Sequence, residues 1–276
     1  MRFSLIMATL GRTQEISRFL AKLDSQTYRD FELIVVDQNS DERLVEILKP
    51  YQANFPIFHL HSIQGVSRAR NVGIKAAKGE IIAFPDDDCW YPENLLEEVN
   101  NYLNNYPDLH GLSIITAEDS YWDKNAGIVN QFNVWKRVIE YSVFLHRDLV
   151  LQVGEFDEAL GLGSGTSWWA GEITDYMLRS FKAGYRIYYE PALQIYHPGP
   201  MQVIKASGFS LAKTYHYSMG KGRVLRKSNA PLWFVAYQCV KPLGNSLLGL
   251  IQQRPEKQQI SWSVLQGIIQ GWRGVI

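Results

Sequence analysis

The 276-residue chain is 46% hydrophobic and 20% charged, a balance that calls for a sizeable buried core in one large domain or a domain with an appendage. Two cysteines, Cys89 and Cys239, exclude a disulfide framework and point to a reducing compartment. The opening MRFSLIMATLGR has too short an apolar run for a signal peptide and enters a strand pattern directly, which argues against secretion.

Three early segments share one grammar. RFSLIMATLGR, FELIVVDQNS and EIIAFPDDD each run apolar for four to seven residues and then turn polar. Such runs read as strands buried on both faces of a parallel sheet. Between the first two, Ile16, Phe19, Leu20 and Leu23 recur at helical spacing, the mark of a helix with one buried face. VSRARNVGIKAAKG reads as a second helix stopped by Gly79, and PENLLEEVNNYLNNYP as a third, opened by its proline. The alternation predicts an α/β fold, an open and mostly parallel sheet flanked by helices, in which ligands bind beyond the carboxyl ends of the strands. Thr9, Asp37 and the run Asp86, Asp87, Asp88 all fall at those ends.

From about residue 110 to 200 the pattern is less regular. It carries strand-like runs GLSIITAE and YRIYYEPALQIYH, a glycine-rich turn GLGSG and the pair Trp168–Trp169. A short helix, GEITDYMLRSFKAG, then begins with two acids in its first turn.

The zero net charge hides an asymmetry. From Pro191 onward ten basic residues face one acid, Glu256, a net +9, while the first 190 residues hold 18 basic and 27 acidic side chains, a net −9. The basic tail is also apolar. PLWFVAYQCVKPLGNSLLGLI is 21 residues long, enough to cross a bilayer, but Lys241, Pro242, Gly244 and Asn245 interrupt it. A pair of interfacial or re-entrant helices on an anionic membrane surface is the expectation, with packing on the catalytic domain or homodimer formation as the alternative. A nucleic-acid partner does not fit apolar blocks interleaved with the basic residues.

The three aspartates need a reason, since carboxylates repel and are costly beside an apolar strand. In an extended segment residues i and i+2 point the same way, so Asp86 and Asp88 face one crevice and Asp87 faces elsewhere in a structural role. Two hard oxygen ligands at that spacing suit Mg²⁺ or Mn²⁺ completed by a diphosphate, which would relieve the repulsion. The plainer alternative is an acidic turn or helix cap. Asp37 suits hydrogen bonds from a base or ribose hydroxyl, although a polar run after a strand is also ordinary turn chemistry. Of Arg68 and Arg70, one is placed to steady a diphosphate and the other to be solvated or paired with an acid.

The set SLIMATLGR, DSQTYRDFELIVVDQNSDE, GVSRARNVGIKAAKGEIIAFPDDDCWYPENLL and GEITDYMLR…AG resembles the family 2 glycosyltransferases, with their nucleotide-sugar-binding GT-A fold. The resemblance is dense over residues 1–105, thinner from 168 to 200, and silent in the tail. It implies a GT-A domain over 1–200, with a nucleotide-sugar half (1–105) and an acceptor-binding, catalytic half (106–200); the charge and apolar pattern adds a helical basic and apolar tail (201–276). It further implies that Thr9 and Asp37 contact the nucleoside and Arg70, or Arg68, the diphosphate. Asp86 and Asp88 match the outer acids of the family's Asp-x-Asp motif, where Asp88 holds the metal. His197, in IYHP, matches a further metal or phosphate contact, or is an ordinary strand-end histidine. Many relatives carry Glu-Asp after the glycine, with the aspartate as base, whereas here Ile173 stands at that second place. Glu172 and Asp175 remain, three apart on one helix face. Glu172 is the expected base and Asp175 a supporting contact. Trp168 and Trp169 are candidates to stack on the acceptor, or are core residues.

The implied reaction is inverting transfer from a nucleotide-sugar, a UDP-sugar by preference, to a hydroxyl of a glycan or lipid-linked glycan, with Mg²⁺ or Mn²⁺. The implied location is cytoplasmic and peripheral to the membrane, in polysaccharide or glycoconjugate synthesis. The missing acid at 173 leaves a non-catalytic nucleotide-sugar or glycan-binding protein as an alternative. A sugar nucleotidyltransferase fits less well, because ATLGRTQE lacks a glycine-rich phosphate loop.

Overall fold

A computed structural model describes residues 1–117, 121–198 and 210–274. One eight-stranded sheet carries the first two thirds of the chain. Its strands are β1 (Phe3–Thr9), β2 (Phe31–Asp37), β3 (Ile57–His61), β4 (Ile81–Ala83), β5 (Gly111–Thr116), β6 (Gly127–Ile128), β7 (Val143–His146) and β8 (Ile187–Ile195). The order across the sheet is β3-β2-β1-β4-β7-β5-β8-β6. The β1, β2, β3 and β4 pairings are parallel, β7 runs antiparallel to both β4 and β5, and β8 is parallel to β5. The two halves expected from the sequence therefore share one continuous sheet.

The helices are α1 (Gln14–Asp24), α2 (Val45–Leu48), α3 (Val66–Ala76), α4 (Leu95–Asn105), α5 (Val134–Arg137), α6 (Arg147–Val153) and α7 (Glu172–Lys182). The alternation along β1 explains the layering. Phe3, Leu5 and Met7 join a core with Ile16, Phe19, Leu20 and Leu23 of α1 and Leu95, Leu96 and Val99 of α4. Ile6 points the other way, into a core with Ala69 of α3, Leu149 of α6 and Tyr176 of α7. At Gly79 the chain crosses β1 so closely that a Cβ would stand 2.5 Å from the Ser4 amide nitrogen. Its N–H donates to Ser4 Oγ at 2.7 Å.

Two strands differ from the expected pattern. β3 is an unforeseen edge strand between β2 and α3, and β7 enters antiparallel beside β4. From β3 at the edge the chain returns to β4 on the far side of β1, so the crevice opens where the strand order reverses.

The described residues of the tail form three helices, α8 (Leu211–Lys227), α9 (Leu232–Ile251) and α10 (Pro255–Arg273). Its opening residues, 199–209 with Lys205, lie outside the described residues, as does Glu118. The expected interrupted pair within 231–251 is instead one 20-residue helix that carries Pro242 inside it. No helix among the described residues is long and apolar enough to cross a membrane.

Candidate active site

Each strand end delivers a polar group to the crevice. Thr9 closes β1 and Asp37 closes β2, directly beside one another in the ladder. Both Asp37 oxygens are engaged: Oδ1 accepts from the Asn39 backbone N–H at 2.8 Å and side-chain amide at 2.7 Å, and Oδ2 lies 3.0 Å from His59 Nε2. Beyond β4 the chain does not stay extended. It turns at Asp86–Cys89, with Cys89 N–H donating to Asp86 O at 3.3 Å. That turn alters the reading of Asp87. Its carboxylate faces Thr9, accepting the hydroxyl at 2.7 Å, and pairs with Arg12 at 3.2 Å.

Asp86, Asp88 and His197 offer three ligand atoms within 4.8 Å of one another. His197 Nε2 stands 3.1 Å from Asp88 Oδ1, and its ring stacks on Tyr141 with centroids 4.5 Å apart. Two carboxylates and one imidazole fit Mn²⁺ or Mg²⁺ when phosphate and water oxygens complete the shell. The expected repulsion is met from within the chain. Arg12 pairs with Asp88, and Arg70 with Asp86 at 3.4 Å. Burial alone would raise Asp88, but the His197 hydrogen bond and charge, with Arg12, hold it at about 2. Burial raises Asp87 to about 6 against the pull of Arg12 and Thr9. Burial and the charge of Glu140 lift Asp86 well above the usual carboxylate range, opposed by Arg70 and His197.

Arg70, on α3, links this cluster to the second acid. Its guanidinium is buried and reaches Asp86 and, at 3.1 Å, Glu172 Oε1. Burial and Glu140 raise the Glu172 carboxyl while Arg70 opposes them. Gly161, at φ +96°, lets its loop pass Glu172, where a Cβ would meet the carboxyl carbon at 3.2 Å. Asp175 is taken elsewhere. It accepts from Arg179 Nε and Lys227 Nζ, each at 3.0 Å, and ties α7 to α8. Arg68 also stays out of this cluster, pairing with Glu158 at 2.9 Å and donating to Gln64 O.

Trp168 is buried, with Arg223 of α8 4.4 Å above its ring. Trp169 is part-exposed and stacks on His216 of α8 at 4.3 Å. Between them and Glu172, Gly171 at φ +98° lies so close to α8 that a Cβ would reach Val224 at 2.8 Å. The tail thus braces the segment that presents Glu172.

Several site residues escaped the sequence reading. Glu140, in a short turn of 3₁₀ helix (Glu140–Ser142), and Tyr217 of α8 face the same acids. Burial and the charges of Glu140, Glu172 and Asp86 push the Tyr217 phenol up. Neither sits in a recognisable pattern. Arg12 did have a signal, its place just past the β1 end in ATLGR. Trp90 pairs with Tyr196 in an isolated bridge and stacks on its ring at 5.6 Å, and Arg18 covers Trp90 at 4.3 Å.

The glycosyl transferase family 2 model matches residues 4–149. An uncharacterized glycosyltransferase of Haemophilus influenzae is 33% identical over 108 residues, 39% of this chain and 36% of that protein, so the chain spans about a third of that relative's length. Glycosyltransferase AglE of Haloferax volcanii is 28% identical over 236 residues, covering 80% and 72%. Among solved structures, mannosyltransferase PcManGT of Pyrobaculum calidifontis, in complex with GDP-Man and Mn²⁺, superposes with a TM-score of 0.71 at 15% identity, covering 100% of this chain and 88% of that one. Staphylococcus aureus TarS 1–349 with UDP-GlcNAc gives 0.62 at 16% identity, covering 98% and 92%. At such identities the likeness establishes the GT-A fold alone.

Proposed function

The chain belongs to glycosyl transferase family 2, and we propose that it is a glycosyltransferase that moves a sugar, with inversion, from a nucleoside-diphosphate donor to a hydroxyl of a glycan or lipid-linked glycan. A UDP-sugar is the favoured donor, as the family resemblance implies. The observation that carries this reading is the junction of two acidic sites by one buried arginine: Asp86, Asp88 and His197 on one side, Glu172 on the other, Arg70 between them.

In this reading Thr9 and Asp37 take the nucleoside, and Arg70 steadies the diphosphate, since Arg68 is held by Glu158 and Gln64 instead. Asp86, Asp88 and His197 would hold Mg²⁺ or Mn²⁺, which when bound supplies positive charge for the departing diphosphate. Glu172 removes the proton of the acceptor hydroxyl as its oxygen forms the bond to the anomeric carbon. The bond to the diphosphate breaks, and the nucleoside diphosphate leaves with the electron pair. A buried carboxylate with a raised pKa is better matched to a general base than an exposed one. Asp175 supports the helix that presents it, and the part-exposed Trp169 walls the acceptor side while Trp168 is buried behind it in the core.

The tail is assigned to an anionic membrane surface. Trp233 is 61% exposed and Ile251 76%, and Tyr237, Val240 and Leu247 lie exposed between them on α9. Aromatic and aliphatic side chains beside Lys241 and Arg254 suit the interface of an acidic bilayer. Cosedimentation with phosphatidylglycerol vesicles should fall sharply in Trp233→Ser/Tyr237→Ser.

A thermal-shift panel of UDP- and GDP-sugars with and without Mn²⁺ tests the catalytic reading. One donor should stabilise the chain only with metal, by about 2.7 kcal/mol at a hundredfold excess over Kd, and Asp88→Ala should abolish the effect. Metal-independent stabilisation that survives Asp88→Ala would sink the assignment.

A further inference from the structure

The crevice holds a second cluster of ligand atoms, at its nucleoside end, of which the proposed reaction uses only Asp37. Asp37, His59 and His61 each offer one donor, all within 4.8 Å of one another. The sheet builds this arrangement. His59 and His61 are two apart on β3 and therefore share a face, and the register sets His61 directly beside Asp37. Their rings lie 4.8 Å apart. Asn39 holds Asp37 Oδ1 with two N–H groups, which leaves Oδ2 turned toward His59. His61 is exposed, and its ring has no hydrogen-bond partner among the described residues.

The donor chemistry differs from that of the Asp86–Asp88–His197 cluster. Two imidazoles and one carboxylate favour zinc-class transition ions, whereas a carboxylate-rich set completed by phosphate favours Mg²⁺ or Mn²⁺. With bonds of about 2.0–2.1 Å, the donors around a tetrahedral ion lie about 3.3 Å apart. The His59–Asp37 pair, at 3.0 Å, already has nearly that spacing. Asn39 supplies the outer hydrogen bonds that orient a ligating carboxylate. β3 is the sheet edge and His61 is exposed, so the cluster is reached from solvent on the His61 side.

We infer that Asp37, His59 and His61 form a second cation site that takes Zn²⁺ or a similar transition ion, and that an ion there closes the nucleoside subsite. The closing part rests on the proposed role of Asp37 toward the nucleoside. An ion on Oδ2 removes the acceptor that a base or ribose hydroxyl would use, so zinc and nucleotide compete for one carboxylate.

The test uses the full chain, stripped of metal, with Co²⁺ as the spectroscopic probe. Wild type should develop the intense visible absorption of four-coordinate Co²⁺, and Zn²⁺ should quench it by displacement. His61→Ala, on an exposed side chain, should weaken this binding at least tenfold, and His59→Ala/His61→Ala should remove it, while Asp88→Ala keeps it. A band untouched by the histidine variants, or lost in Asp88→Ala, would overturn the site. Zn²⁺ should weaken UDP binding in wild type, measured calorimetrically with Mn²⁺ present, and leave it unchanged in His61→Ala. A histidine-dependent Co²⁺ band with no effect of Zn²⁺ on UDP would leave the ion site standing and overturn the closure. UDP that fails to bind wild type with Mn²⁺ would instead refute the nucleotide reading, and the Co²⁺ band would still decide the site.

Discussion

The crevice and the tail are built on opposite principles. At the crevice every acid that the sequence crowds together is met by a basic group from another element: Arg12 beyond β1, Arg70 on α3, His197 beyond β8. Such partners exchange easily, because an incoming metal or phosphate offers the same charges. In the tail the helices meet backbone to backbone. A Cβ on Gly222 would stand 2.1 Å from Ile268 O, and one on Gly271 1.9 Å from Met219 O. Contacts of that kind have no alternative partner. One region is arranged to change its contacts, and the other to keep them.

The largest expected effects lie on the exchangeable side. Asp88→Ala should lower kcat/KM by about 10²–10³, with a change in melting temperature too small to explain it. A loss of activity that follows thermal stability across a series of Asp88 variants would contradict the contrast. Glu172→Gln should cost about 10²–10⁴ in turnover while metal-dependent donor binding persists. In wild type the acid limb of the pH–rate profile should lie above the ordinary glutamate range, because burial and Glu140 raise this carboxyl.

Asp175, on the same helix, belongs to the other side of the comparison. Asp175→Asn leaves Lys227 and Arg179 without their shared carboxylate. It should destabilise by about 1–3 kcal/mol and change KM little, an effect read by urea denaturation. Gly271→Ala forces α8 and α10 apart and should cost a similar amount, about 1–3 kcal/mol. Should either variant act mainly on turnover at full stability, the tail would have to be counted within the exchangeable region.

The two regions were unequally legible in the sequence. β1, β2 and β4 could be read because a strand buried on both faces must be apolar throughout. β3 could not, because an edge strand with His59 and His61 on one face and an exposed Phe58 lacks that run. The acids at the strand ends were visible from topology alone, yet Asp87 was misdirected by assuming an extended segment where the chain turns. Glu140 and Tyr217 reach the site through tertiary packing, which leaves no periodic trace. The fate of Asp175 depends on Lys227, 52 residues away on a helix whose placement no local pattern announces. Pro242 misled in the other direction. It removes one helical hydrogen bond, but α9 continues through it.

The smallest expected effect tests whether the tail is fixed in its charges as well as its backbone. Lys221 of α8 sits against Trp135, its amine 5.4 Å from the ring centroid, and has no ion pair among the described residues. Burial, with Lys136 and Lys241 nearby, lowers its pKa to about 8, against about 10.4 in an unfolded chain. Below pH 8 both states hold the proton, and the folded state bears the whole cost of burying the charge. Between about 8 and 10.4 the unfolded state binds more protons, so this lysine makes stability rise with pH. Lys221→Met removes the cost and keeps most of the packing. It should therefore raise the melting temperature by about 2–4 °C at pH 7, with a smaller gain at pH 9.5. A melting temperature that falls at pH 7 would mean that the ring contact, worth about 0.5–2 kcal/mol, outweighs desolvation. In that case Lys221 stabilises the tail as a cation, and the tail too is held by charge.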